Sequence, residues 1–221
     1  MQVTRFRPFG VAILLAGIAV TAVPANADLY QLTVDHCSAG CNPGSPGSSM
    51  GTVTVAQDGA NQVEITVDLV SPLEFVNTGL ANTIDFNIVG APTISLVSTT
   101  NPLFSLASTT PSSAHFDGFG AFEYSLLLNT SQGAGGATAG PETFVISASG
   151  LTAADFKTFG TGASAFFGVD VFNATTQSTG PIGAVNDPVP GPIVGAGLPG
   201  LIVACGGLLA RVRRRRCRNI A

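Results

Sequence analysis

Lysine, histidine and tryptophan are almost missing from this 221-residue chain: there is one lysine, Lys157, two histidines and no tryptophan. Charged residues of every kind make up 10%, while glycine numbers 27 and proline 14. An ordinary soluble domain is about a quarter charged, so this composition argues against a helical cytosolic enzyme. Nine basic residues against thirteen acidic ones give −4, but their placement says more than the sum. Arg5 and Arg7 stand near the start, six arginines fall between Arg211 and Arg218, and all thirteen acids lie between Asp28 and Asp187. One lysine against thirteen acids leaves residues 28–187 at −12. A body so poor in cations cannot displace the counterions around phosphate, which excludes nucleic acid as a partner.

What is present at the two ends reads as a pair of addresses. Arg5 and Arg7, the apolar run Phe9 to Val20 and the small residues Ala25-Asn26-Ala27 follow the order of a secretory signal peptide over residues 1–27. Signal peptidase is then expected to cut between Ala27 and Asp28. No cysteine follows the apolar run, so a lipoprotein is not indicated, and the alternative of an uncleaved anchor meets a run that is short for a span. At the other end, Ile193 to Ala210 is eighteen residues without a charge. As a helix it covers about 27 Å, close to a hydrocarbon core of about 30 Å. Arg211, Arg213, Arg214, Arg215, Arg216 and Arg218 follow at once and hold the C-terminus on the cytoplasmic side. Pro199 and the glycines at 195, 197, 200, 206 and 207 make this a weak helix for a permanent anchor.

Val189-Pro190-Gly191-Pro192, the Gly/Leu-rich span 193–210 and the arginine-rich tail 211–221 together resemble the PEP-CTERM sorting signal of exported proteins in Gram-negative bacteria. The resemblance covers residues 189–221, with Gly191 standing where the usual motif carries Glu. It implies export, transient anchoring in the inner membrane and processing by an exosortase, a transpeptidase-like cysteine protease of that membrane. Delivery to the cell surface or to an extracellular polysaccharide matrix follows. Asp35-His36-Cys37-Ser38-Ala39-Gly40-Cys41 and Asp117-Gly118-Phe119-Gly120 are also similar to uncharacterised secreted proteins with the same tail. That likeness implies an all-β body and no particular activity.

The exported body, residues 28–187, precedes a sorting region over 188–221, and its dominant pattern is alternation. Val63, Ile65, Val67 and Leu69 alternate with Glu64, Thr66 and Asp68, the period of two that lines one face of a sheet. Similar runs predict strands near 29–35, 51–57, 62–69, 83–89, 93–98, 103–107, 121–129, 142–149 and 164–172. Asp58-Gly59-Ala60-Asn61 predicts a hairpin turn, and Thr152 with Asp155 predicts a capped helical turn over 151–156. Many short strands separated by Gly, Pro, Ser and Asn point to an antiparallel β-sandwich of jelly-roll or immunoglobulin-like type. Its core would take most of the fourteen phenylalanines, including Phe116, Phe119 and Phe122 and the group Phe156, Phe159, Phe166 and Phe167. The segments 42–50 and 131–140 read as flexible loops.

Candidate chemistry is sparse. Cys205 lies in the span and Cys217 in the tail, which leaves Cys37 and Cys41 as an exported pair. In an oxidising space they form a disulfide, and a loop that short stabilises by about 2 kcal/mol. A metal site at these cysteines with His36 needs three or four ligands, and the exported body has only two histidines and two cysteines from which to draw them. A nucleophilic cysteine served by His36 or His115 would be oxidised by its neighbour. Gly47-Ser48-Ser49-Met50-Gly51 matches GxSxG, but a strand is expected after it where the nucleophile elbow has a helix. Asn129 and Asn173 open formal glycosylation sequons. The acids are spaced singly, without a calcium loop, although a folded site can collect them from several strands.

The expectation is a non-enzymatic exported protein with no catalytic residues, metal or cofactor, acting at the cell surface or in the matrix. A carbohydrate-binding module is the first alternative, short of the aromatic platforms such modules display, since there are only two tyrosines. A permanently anchored single-pass protein is the second.

Overall fold

The alternating runs fold as antiparallel strands in a computed structural model that describes residues 27–44, 47–79, 82–160 and 162–190. Most of the expected signal peptide, Gly191, Pro192, the apolar run 193–210 and the arginine-rich tail lie outside the described residues. Among the described residues, no helix is long and apolar enough to cross a membrane.

The first sheet places its strands, numbered along the chain, in the order β15 (Val189–Pro190), β1 (Ala27–Leu32), β3 (Gly51–Gln57), β4 (Gln62–Leu69), β12 (Glu142–Ser147) and β7 (Ser95–Thr99). The second runs β2 (Val34–Asp35), β14 (Ser178–Ala184), β13 (Phe167–Asn173), β6 (Ile84–Phe86), β11 (Tyr124–Leu128) and β8 (Phe104–Leu106). β5 (Leu73–Phe75) pairs with the far end of β13. The two sheets pack face to face over one apolar core, a sandwich-like all-β arrangement.

Alternation explains the first sheet directly. Val53 and Val55 of β3, Val63, Ile65 and Val67 of β4, and Phe144 and Ile146 of β12 are buried, while Thr54, Glu64 and Thr66 between them are half-buried. On that outer face the hydroxyls of Thr66 and Thr143 pair at 2.9 Å. The β3–β4 turn forms as expected: Gly59 and Asn61 take positive φ, and the Asp58 N–H donates to the Gln62 carbonyl at 2.9 Å. Opposite them, Ile84, Phe86, Tyr124, Leu126, Phe167 and Val169 close the core. Burial of each such side chain stabilises by about 1.5–3 kcal/mol.

The second sheet departs from alternation, because its middle strands are buried on both faces. Every residue of β6 and β13 is buried. The cover is a separate hairpin, β9 (Ala114–Phe116) and β10 (Gly120–Phe122), whose Phe116, Phe119 and Phe122 form a second apolar cluster with Ala165. Two glycines admit these rings. A Cβ at Gly168 would lie 2.6 Å from the Phe116 ring, and one at Gly183 would lie 2.4 Å from the Phe119 ring.

Several sequence expectations change here. The strand expected over 121–129 is two: the backbone breaks at Glu123, whose N–H donates to Asn87 Oδ1 at 3.0 Å. Phe122 therefore belongs to the covering hairpin and Tyr124 to the sheet. Phe159, expected in the core, is 39% exposed and rests on Phe166 with ring centroids 4.3 Å apart. Met50, expected in a loop, is fully buried. The loop over 131–140 carries a 3-10 turn at Ala134–Gly136 and a bridge from Thr138 to Phe75. The helical turn near 151–156 is a 3-10 helix, Ala153–Phe156, with Asp155 accepting from both the Thr152 N–H at 2.8 Å and its hydroxyl at 2.9 Å.

Candidate functional site

The two expected processing points meet on one sheet edge. Strand β1 begins at Ala27, and its Asp28 and Leu29 pair with Pro190 and Val189 of β15. Asp28 is buried and receives the Lys157 ammonium at 2.9 Å. Two residues on, burial and the nearby carboxylates of Asp28 and Asp187 hold the Tyr30 hydroxyl well above the usual phenol range. Val189 and Pro190 thus belong to the body's sheet, just past its expected limit at 187. Ala25, Gly191, Pro192 and the six tail arginines lie outside the described residues.

Cys37 and Cys41 are joined by a disulfide, with Cα atoms 5.6 Å apart. Asp35 organises the loop: its carboxylate accepts the N–H groups of Cys37 at 2.9 Å, Cys41 at 2.7 Å and Asn42 at 2.9 Å. Asp35, Cys37 and Cys41 lie close enough together to resemble a metal site, but sulfurs joined to each other are not thiolate ligands. His36 stands apart from them, edge-on to Phe119 with centroids 4.6 Å apart. Asn173, which opens a sequon, is buried with its Nδ2 donating to the Cys41 carbonyl at 2.9 Å. It ties the disulfide loop to the β13–β14 hairpin.

The remaining sequence candidates stay apart. Ser49 donates to the Gly51 carbonyl at 2.7 Å and leads into strand β3 rather than a helix. His115 Nδ1 is 3.6 Å from Asp117 Oδ1, with both side chains 73% exposed, a geometry worth little in water. Asn129 Nδ2 donates to the Leu103 carbonyl and to Ser105 Oγ.

Sequence reasoning missed a polar cluster on the covered face of the second sheet. Asp85 of β6 stands opposite Ser125 of β11 and opposite Gly168 of β13, and Asp170 lies two residues along from Gly168 on the same face. Asn82, Asp85, Ser125 and Asp170 are between 0 and 3% exposed. Asn82 Nδ2 donates to Asp85 Oδ2 at 2.7 Å and to the His115 carbonyl of the hairpin at 3.1 Å. Asp170 accepts from Thr78 Oγ1. Burial pushes Asp85 up to about 7, offset in part by the Ser125 hydroxyl and the Asn82 amide and reinforced by Asp170. Burial likewise pushes Asp170 up to about 6, with the Asp117 carboxylate adding to it. A pocket of about 220 Å³ opens beside Asp170, lined also by His36, Thr78, Phe116, Asp117 and Pro181.

No protein-family model, curated protein or solved structure matches this chain. The signal that marks the cluster is local: Ile84-Asp85-Phe86 and Val169-Asp170-Val171 each set an acid in the middle of an apolar strand.

Proposed function

We propose that this is an exported, non-enzymatic bacterial surface or matrix protein, made as a precursor and sorted by a PEP-CTERM-like C-terminal signal. Signal peptidase releases the body at Asp28. The apolar span at 193–210 stops translocation, the arginines keep the tail in the cytoplasm, and an exosortase-like enzyme of the inner membrane cuts near Pro190. The body then passes to the cell surface or to extracellular polysaccharide.

The observation that carries this reading is the pairing of Asp28 and Leu29 with Pro190 and Val189. The chain closes on itself between the two expected cuts, so removing both addresses leaves a sheet with its own core. Within the sandwich-like class we favour the jelly-roll type, because most connections carry the chain from one sheet to the other. Tyr30 and Tyr124 are both fully buried, so neither supplies the aromatic platform of a carbohydrate-binding module.

Mass spectrometry of the protein recovered from its native cells tests the processing. The expected mature chain starts at Asp28 and lacks everything beyond about Pro190. Recovery of mature protein that keeps the arginine tail overturns the sorting reading and leaves a permanently anchored protein.

A further inference from the structure

One peptide bond between the last core strand and the edge strand is chemically unlike the rest. β14 ends at Ala184 and β15 begins at Val189, and Asp187-Pro188 stands in the link between them, outside any strand. It is the one Asp-Pro pair in the chain. Asp187 is exposed, and among the described residues its carboxylate has no hydrogen-bond or ion-pair partner. Lys157, the one lysine or arginine among those residues, is bound to Asp28 instead. The Asp187 side chain is thus free to turn toward its own backbone carbonyl.

We propose that Asp187–Pro188 is a self-cleaving bond that frees the body from its tail without a protease and leaves Asp187 as the C-terminal residue. The inference rests on the sorting reading for the tail that is shed, but not for its chemistry. A side-chain oxygen of Asp187 attacks the carbonyl carbon of the same residue and closes a five-membered cyclic anhydride. The C–N bond to Pro188 breaks, its electron pair stays on the prolyl nitrogen, and that nitrogen takes a proton from solvent to leave as a secondary ammonium. Water then opens the anhydride, so the sum is hydrolysis of one peptide bond, with no oxidant or metal. Nucleophile and carbonyl share one residue, which makes the attack intramolecular. Proline favours the exit twice. Its nitrogen carries a third carbon and no N–H, so it is more basic than an ordinary peptide nitrogen. The missing N–H also closes the usual cyclisation of an aspartate, in which the next residue's nitrogen attacks the side chain. That reaction leaves the chain uncut and is open to Asp58-Gly59 and Asp117-Gly118. Position suits release as well. The last residue of the main core, Ala184, precedes the bond, and the only strand beyond it among the described residues holds on to β1 by two residue pairs. Asp187 is the last acid, so the freed body keeps all thirteen.

The test holds the full 221-residue chain, purified in detergent with protease inhibitors, at about pH 4 and about pH 7.5 and follows it by intact mass spectrometry. Expected is one pair of fragments, ending at Asp187 and starting at Pro188. They form at least about tenfold faster at the lower pH, because the leaving nitrogen needs a proton. Asp187→Asn removes the attacking carboxylate and Pro188→Ala the basic leaving nitrogen, and each slows cleavage by more than about tenfold. Both positions lie outside the strands, and an unchanged melting temperature establishes that each variant folds. Absence of the fragments at both pH values overturns the proposal. Cleavage that survives Asp187→Asn overturns it too and marks a contaminating protease. The mature chain from native cells separates this inference from the sorting reading. A C-terminus at Asp187 supports self-cleavage, one near Pro190 overturns it and leaves the sorting enzyme, and an intact arginine tail overturns both.

Discussion

The outer faces of the two sheets are built on opposite terms. On the first sheet the outward side chains are half-buried threonines, glutamines and Glu64, free to meet water. On the second, the outward positions of β6, β11 and β13 hold Asp85, Ser125, Gly168 and Asp170, and a phenylalanine hairpin closes over part of them. Covering an apolar face costs nothing in hydration, whereas covering two carboxylates does. The second sheet therefore carries two buried carboxylates on its covered outer face, while the first buries Asp28 beside Lys157 and Glu142 beside two threonines, and the larger pH dependence belongs to the second.

The largest expected effect is on the cover itself. Phe119→Ala removes a ring that is almost completely buried against Gly183 and should lower stability by about 3–5 kcal/mol. Thr54→Ala on the open face of the first sheet should stay within about 0.5 kcal/mol. Urea unfolding of the two variants side by side checks this, and equal costs would erase the distinction between the faces.

A smaller effect is expected from pH. The folded chain holds a proton on Asp85 up to about pH 7, and on Asp170 up to about pH 6, that the unfolded chain releases near its ordinary value of 3.8. The unfolded state thus binds fewer protons between those limits, so stability falls as pH rises from about 4 to about 7. Asn82, Ser125 and the His115 carbonyl surround Asp85, and His36, Ser38, Thr78, Asp117 and Thr179 share the adjoining pocket with Asp170. Asp85→Asn should flatten much of the slope. Glu142, also raised by burial but located in the first sheet, keeps a residual slope of the same sign. Thermal unfolding across that range measures it, and a slope untouched by the substitution would move the pH dependence elsewhere.

The smallest effect belongs to the disulfide. Replacing Cys37 and Cys41 by serine should cost about 2 kcal/mol, since the loop they close is short and Asp35 still gathers its N–H groups. The released body should show no free thiol in denaturant before reduction, and two free thiols would remove the bridge.

The same contrast governs what was legible in the sequence. β3 and β4 sit at an open face, so their buried and outward residues alternate and their limits were readable, and β12 was found beside them although Val145 on its outward side is buried too. The two-sided strands were harder. β14, Ser178-Thr179-Gly180-Pro181-Ile182-Gly183-Ala184, was not among the expected strands, because glycine stands where Phe119 must approach and proline takes an outward position. β5, β9 and β15 are too short for a period to show. The disulfide followed from two cysteines in one compartment. The polar cluster did not, because Asn82, Asp85, Ser125 and Asp170 are far apart along the chain and only the strand order β13-β6-β11 brings them together.

The fit of the phenylalanine rings over Gly168 and Gly183 constrains how such a protein can diverge. Any side chain at Gly168 collides with Phe116, and any at Gly183 collides with Phe119, so each glycine can change only when its ring shrinks in the same lineage. Gly168-Val169-Asp170 and Gly183, paired with Phe116-Asp117-Gly118-Phe119, thus form a coupled fingerprint. Relatives whose overall sequence has drifted beyond recognition should still carry it, or carry both halves altered together.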